Sequence, residues 1–211
     1  FQSEYFLSDS GLTDFTEWDM GFDFYAPQTF EAPDGRRIII GWFGIGDSAY
    51  TNPTTALGYQ HCLTIPREVT ADEKGRLMQN PVRELLELRK ESRHLSNGDT
   101  AEITLPSELT ADVHGSFKIS FDGKLDLVWD GKIFELRFTD NKYGSGRTTR
   151  KAVLDKCSDI RIIADTSSLE IYLDGGRTVF GTRFYPDNER VTVSAEGISA
   201  EIFSLRGMEV K

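Results

Sequence analysis

The 211 residues carry 24 Lys and Arg against 34 Asp and Glu, a net charge of −10 at pH 7, with 38% hydrophobic and 27% charged side chains. A chain of this size buries roughly 70% of the surface its unfolded form exposes, enough for a core without disulfide or metal staples. The acidic excess, with no block of Lys and Arg, works against phosphate backbones and anionic bilayers, so neither nucleic acid nor membrane is expected as a partner.

Cys62 and Cys157, and His61, His94 and His114, fall in no metal-ligand or redox spacing, so no metal site is expected. The longest nearly apolar run, Ile38 to Gly46, is about half of what a membrane helix requires. The chain begins at Phe1 with neither Met nor a charged-then-apolar leader, which reads as a trimmed start or a piece of something longer.

Along the chain, Phe22-Asp-Phe-Tyr-Ala26 alternates apolar and polar residues, and after the turn Pro33-Asp34-Gly35 the run Arg36 to Phe43 predicts a strand buried on both faces. Residues 1–79 suggest six to eight strands, too few for a closed β-domain of their own. Val82, Leu85, Leu86 and Arg89 then fall at helical spacing, with Asn80 as N-cap and Pro81 at the first helical position, predicting a linking helix over 80–92. From Phe117 onward the period is two: Phe117, Ile119, Phe121; Leu125, Leu127, Trp129; Phe134, Leu136, Phe138; and again through Ile160, Leu169, Phe180 and Ile198. With Asp-Gly turns at 122, 130 and 174, these eight or so short antiparallel strands from Phe117 onward predict a β-sandwich, assigned to residues 93–211, with a closed core.

The chain has no glycine-rich phosphate loop, no Gly-x-Ser-x-Gly elbow and no His-Glu-x-x-His. The unusual stretch is Trp18 to Phe30, which mixes aromatics with Asp19 and Asp23 and is followed by Trp42. Sugars bind such mixtures, apolar ring faces on aromatics and hydroxyls on carboxylates, although an aromatic-rich core has the same composition.

Four segments then carry a resemblance: Asp19-Met-Gly-Phe-Asp-Phe-Tyr-Ala-Pro-Gln-Thr-Phe30, Gly41-Trp-Phe-Gly44, Tyr59-Gln-His-Cys-Leu-Thr-Ile-Pro-Arg-Glu68 and Gln79-Asn-Pro-Val-Arg-Glu-Leu85. In this order they closely resemble glycoside hydrolase family 32, among its sucrose-6-phosphate hydrolase and β-fructofuranosidase members. Ile162 to Tyr172 and Arg183-Phe-Tyr-Pro186 resemble the C-terminal sandwich of that family. The resemblance implies an all-β fold, the last blades of a five-bladed β-propeller followed by a β-sandwich, and retaining hydrolysis of terminal β-fructosyl bonds. The family's nucleophile, transition-state stabiliser and acid/base motifs lie upstream of the segment matched by Asp19–Phe30, and none of them occurs here, so the chain alone is expected to be inactive.

By the same resemblance Asp19, Asp23, Tyr25 and Trp42 line a fructosyl pocket. Asp23 and Tyr25, two apart on a strand, would share a face, with Asp19 in the same parity. The alternative is that Asp23 satisfies neighbouring backbone donors. Gln28, His61 and Arg67 are expected to be scaffold hydrogen-bonders. An incomplete propeller implies a partner, either the N-terminal half of the same enzyme or a second copy. The rivals are a lectin-like fructan-binding module using exposed aromatics such as Trp129, and a structural or dimerisation module. Two free cysteines and the members resembled lean towards the cytoplasm.

Overall fold

The computed structural model describes residues 4–5, 16–45 and 52–208. A two-residue ladder joins β1 (Glu4–Tyr5) to β2 (Thr16–Glu17). The next sheet is an antiparallel meander of β3 (Tyr25–Glu31), β4 (Arg37–Phe43), β6 (Arg67–Ala71) and β7 (Leu77–Pro81), with the short β5 (Cys62–Leu63) also on β4. Among the described residues this sheet has the form of a propeller blade. Ile38 and Ile39 are 4% and 0% exposed, so consecutive residues of β4 are buried on opposite faces, as its continuous apolar run predicts.

The remaining strands build a sandwich of two six-stranded sheets. One runs β17–β16–β15–β10–β19–β8, from β17 (Thr178–Arg183), β16 (Ser168–Leu173), β15 (Asp159–Asp165), β10 (Ser107–Asp112), β19 (Ala200–Leu205) and β8 (Arg89–Leu95). The other runs β14–β13–β12–β11–β18–β9, from β14 (Thr149–Val153), β13 (Ile133–Phe138), β12 (Leu125–Trp129), β11 (Phe117–Phe121), β18 (Arg190–Glu196) and β9 (Thr100–Thr104). Their inner faces meet in one core around Phe121, Leu127, Phe134, Ile171 and Phe180. The Asp-Gly turns sit where left-handed backbone is needed, with φ of 53° and 61° at Asp122 and Gly123 in the three-residue loop between β11 and β12.

Three expectations change. The linking helix of 80–92 is a six-residue 3-10 helix, Arg83–Leu88; Asn80 and Pro81 end β7, and Arg89 opens β8. Only Leu85 is buried, Leu86 being 45% exposed, so the apolar pattern anchors a single turn and the chain then gains more by pairing with β19. Twelve strands make the sandwich, nine of them from Phe117 onward, where eight or so are expected, and three before it. The edge strands β8, β9 and β14 are polar and show little alternation, because an edge has less of its surface inside. Trp129 is 4% exposed in the core, so it cannot serve as an exposed sugar platform. Residues from 93 onward also do not close their own core, since Met20 and Phe22 pack against it from outside the sandwich sequence. Among the described residues, no helix is long and apolar enough to cross a membrane.

Candidate functional site

Strand β17 is an edge, so half of its backbone groups need partners from elsewhere. They find them in residues 19–23. Met20 N–H donates to the Val179 carbonyl at 2.7 Å and Phe22 N–H to the Gly181 carbonyl at 2.8 Å. In the other direction the carboxylates act where a neighbouring strand would offer carbonyls: Asp19 Oδ1 accepts the Gly181 N–H at 2.7 Å, and Asp23 Oδ2 accepts the Arg183 N–H at 2.8 Å. Asp19 Oδ1 also accepts the Gly21 N–H at 2.8 Å, which curls the segment. The approach requires glycine at 21, where a Cβ would fall 2.0 Å from the Gly181 carbonyl oxygen. From the opposite sheet, Arg150 of β14 donates to the Met20 carbonyl at 2.8 Å and pairs with Glu17 at 3.2 Å. The segment therefore closes the sandwich between β14 and β17.

Two buried ion clusters fasten the meander sheet to this seam. Arg67 of β6, 0% exposed, reaches Asp19 at 3.0 Å and Glu170 of β16 at 2.7 Å, with Gln79 at 3.2 Å. Glu170 in turn accepts the Tyr172 hydroxyl at 2.8 Å and the Ile65 N–H at 2.8 Å. Burial pushes the Asp19 carboxyl up, against the opposing pull of Arg67 and the two amides. In the second cluster Arg147, from the turn between β13 and β14, contacts Asp23 at 2.8 Å and Asn52 at 3.2 Å. Arg183 donates to Ser167 and lies 2.7 Å from the Cys62 sulfur.

The aromatic residues gather where β3 pairs with β4. Tyr25 and Trp42 are register partners on β3 and β4, their rings edge-on at 6.0 Å, and Trp42 meets His61 edge-on at 4.6 Å. Tyr25 remains 40% exposed. His61 sits over Gly44, where a Cβ would fall 2.1 Å from Nδ1. Burial, with the charges of Arg183 and Arg147 and against that of Asp23, lowers the His61 pKa, so its ring is neutral at neutral pH.

Of the four residues expected to line a pocket, the fold brings Tyr25 and Trp42 together and turns Asp19 and Asp23, 1% and 0% exposed, towards the sandwich. Asp19 and Asp23 share no strand face with Tyr25, because β3 begins only at Tyr25. Arg147, Arg183 and Glu170 escaped the sequence argument. Glu170 did leave a signal, a charge inside the apolar run Leu169 to Leu173, since acidic side chains are seldom buried unless paired.

The model of the glycosyl hydrolases family 32 N-terminal domain matches residues 1–81, and that of the glycosyl hydrolases family 32 C terminal matches residues 79–209. A sucrose-6-phosphate hydrolase of Staphylococcus xylosus is 33% identical over 218 residues, covering 90% of this chain and 42% of that protein. One of Bacillus subtilis (strain 168) is 33% identical over 203 residues, covering 88% and 42%. Among solved structures, a β-fructofuranosidase of Bombyx mori superposes with a TM-score of 0.77 at 25% identity, over 91% of this chain and 42% of the other. The sucrose-6-phosphate hydrolase of Lactobacillus gasseri shares the fold, with a TM-score of 0.72 at 23% identity over 91% and 43%. The chain spans about two fifths of the length of these relatives. With both halves of the family pattern matched in order, and the blade-like sheet and sandwich in the same succession, the chain belongs to glycosyl hydrolase family 32.

Proposed function

We propose that this chain is the C-terminal portion of a β-fructosidase that hydrolyses terminal β-fructosyl bonds of sucrose, sucrose 6-phosphate or a fructan with retention. It supplies one wall of the fructosyl pocket together with the sandwich. The observation that carries this reading is the corner formed by Tyr25, Trp42 and His61, aromatic faces left partly open beside neutral polar edges, which is how a sugar ring is held. The names of the curated relatives, sucrose-6-phosphate hydrolases, support the substrate class.

Retaining hydrolysis takes two carboxyl groups about 5 Å apart across the scissile bond, one as nucleophile and one as acid/base. Asp19 and Asp23 are committed to amides and arginines within the seam, so they hold the pocket wall from behind, and Tyr25 and Trp42 face the sugar. The nucleophile, stabiliser and acid/base belong to sequence outside these 211 residues, on an N-terminal half that completes the ring. No cofactor enters this chemistry. The test is a sucrose and sucrose 6-phosphate assay on the chain alone and on the chain joined to the coding sequence upstream of Phe1. Turnover is expected only from the longer protein; turnover by the 211 residues alone would overturn the reading.

The structural reading also has an observation in its favour. The sandwich sends Glu170, Arg147 and the β17 edge into the seam, so it braces the meander sheet whatever else it binds.

A further inference from the structure

We propose that Arg147, a residue of the sandwich, is a positioning residue for the aromatic corner, holding Tyr25 through Asp23 and His61 through Asn52. This rests on the corner being a pocket wall.

The turn that carries Arg147 is built to aim it. Ser145 and Gly146 have φ of 50° and 95°, and a Cβ on Gly144 would fall 2.1 Å from the Arg147 carbonyl oxygen. The chain folds back so that the Arg147 N–H and its Nη1 both donate to the Gly144 carbonyl at 3.0 Å. With one arm held by its own turn, the guanidinium presents Nη2 to Asp23 Oδ1 at 2.8 Å and Asn52 Oδ1 at 3.2 Å.

These two contacts lead to opposite sides of the corner. Asp23 stands two residues before Tyr25, where β3 begins. Asn52 donates through Nδ2 to the Gln60 carbonyl at 3.0 Å, and Thr54 donates to the same oxygen at 3.3 Å, which fixes the backbone next to His61. His61 packs edge-on against Trp42, and Trp42 against Tyr25. Simple adhesion between sandwich and sheet is already served by Arg67 and Glu170. What Arg147 adds is a fixed, desolvated charge, with a side chain 2% exposed, that ties together the two backbone segments carrying Tyr25 and His61. A bidentate-capable planar cation suits that task better than the point charge of lysine, although lysine can keep part of it.

The test is NMR of the 211-residue chain and its R147M, R147K and N52A variants, following the His61 ring titration and the cross-relaxation contacts Trp42–His61 and Tyr25–Trp42. R147M is expected to keep the sandwich resonances, lose more than half of both contact intensities and raise the His61 pKa, because a nearby positive charge has gone and Asp23 is left facing the ring. R147K should recover part of each. N52A should weaken Trp42–His61 and leave Tyr25–Trp42 intact. Folded R147M with unchanged contacts and titration would overturn the proposal; if R147M does not fold, an unchanged Trp42–His61 contact in N52A does the same. Tyr25→Ala and Trp42→Ala in the protein carrying its upstream sequence judge the pocket separately: an unchanged KM there refutes the pocket reading, while the NMR result still decides what Arg147 positions.

Discussion

The carboxylate of Asp19 accepts the backbone N–H of Gly181 at 2.7 Å across 162 residues of sequence. An amide on the edge of the sandwich is thus satisfied by a side chain from the segment that precedes β3, and the same carboxylate lies 3.0 Å from the buried Arg67 guanidinium. Asp19→Ala would strand the Gly21 and Gly181 amides and remove one of the two carboxylates that face the buried Arg67, leaving Glu170 as the other. Breaking a buried pair by removing one partner costs about 3–5 kcal/mol. Asp19→Asn keeps an acceptor and should cost less. Urea unfolding of both variants checks the order, and an Asp19→Ala midpoint equal to wild type would contradict it.

Residues 89–208 on their own should not behave as a closed domain. Without residues 19–23 the β17 edge loses its acceptors and donors, and the core surface under Met20 and Phe22 meets water. The truncated chain is expected to bind a hydrophobic dye and to self-associate on size exclusion. A monomer with a cooperative transition as sharp as that of the 211-residue chain would refute this.

Gly21→Ala places a methyl 2.0 Å from the Gly181 carbonyl oxygen, a backbone atom with no freedom to move aside. Overpacking of this kind costs about 1–3 kcal/mol, and here the upper end is expected because both sides are main chain. Gly35→Ala is a useful contrast: no atom lies within 4 Å of its Cβ, and only the left-handed φ of 83° opposes it. Thermal unfolding should rank Gly21→Ala well below Gly35→Ala.

Stability should depend on pH in two steps. The His61 ring is held below its usual value of 6.5, so the unfolded chain takes up a proton that the fold refuses, and stability falls as pH drops below 6.5. Glu84 is held at about 2 by its hydrogen bond to Arg36, against a usual 4.5, so the stability present above 4.5 is lost as pH falls from there towards 2. Asp19, raised by burial, works in the opposite sense. Urea midpoints should begin to decline below pH 6.5 and steepen below 4.5, and His61→Gln should flatten only the first part. A wild-type midpoint that stays level from about pH 7 to about pH 5 would contradict the sign argued for His61.

Burial pushes the thiols of Cys62 and Cys157 up to about 11. At pH 8 the native chain should therefore react with an aromatic disulfide reagent about a hundredfold more slowly than the urea-unfolded chain, whose thiols keep the ordinary value of 9.0. Comparable rates would show that one thiol is more open than the fold implies.

Much of the sandwich is local information. The alternation at Phe117–Phe121, Leu125–Trp129 and Phe134–Phe138 follows from a period-two backbone with one face in a core, and the Asp-Gly pairs mark where that backbone must turn left-handed. The polar edges β8, β9 and β14 left weaker traces, because strands with little buried surface have little pattern to display. The motif from Trp18 to Phe30 was legible as a family feature, yet its residues divide by role only in three dimensions. Tyr25 and Trp42 meet because β3 and β4 pair in that register. Asp19 and Asp23 turn inward because the edge of β17 needs acceptors and the buried Arg67 and Arg147 need counter-charges. Hydrogen-bond and charge demands set by partners more than a hundred residues away leave no periodicity in a sequence; only the packing of the sandwich against the first sheet decides which carboxylate answers them.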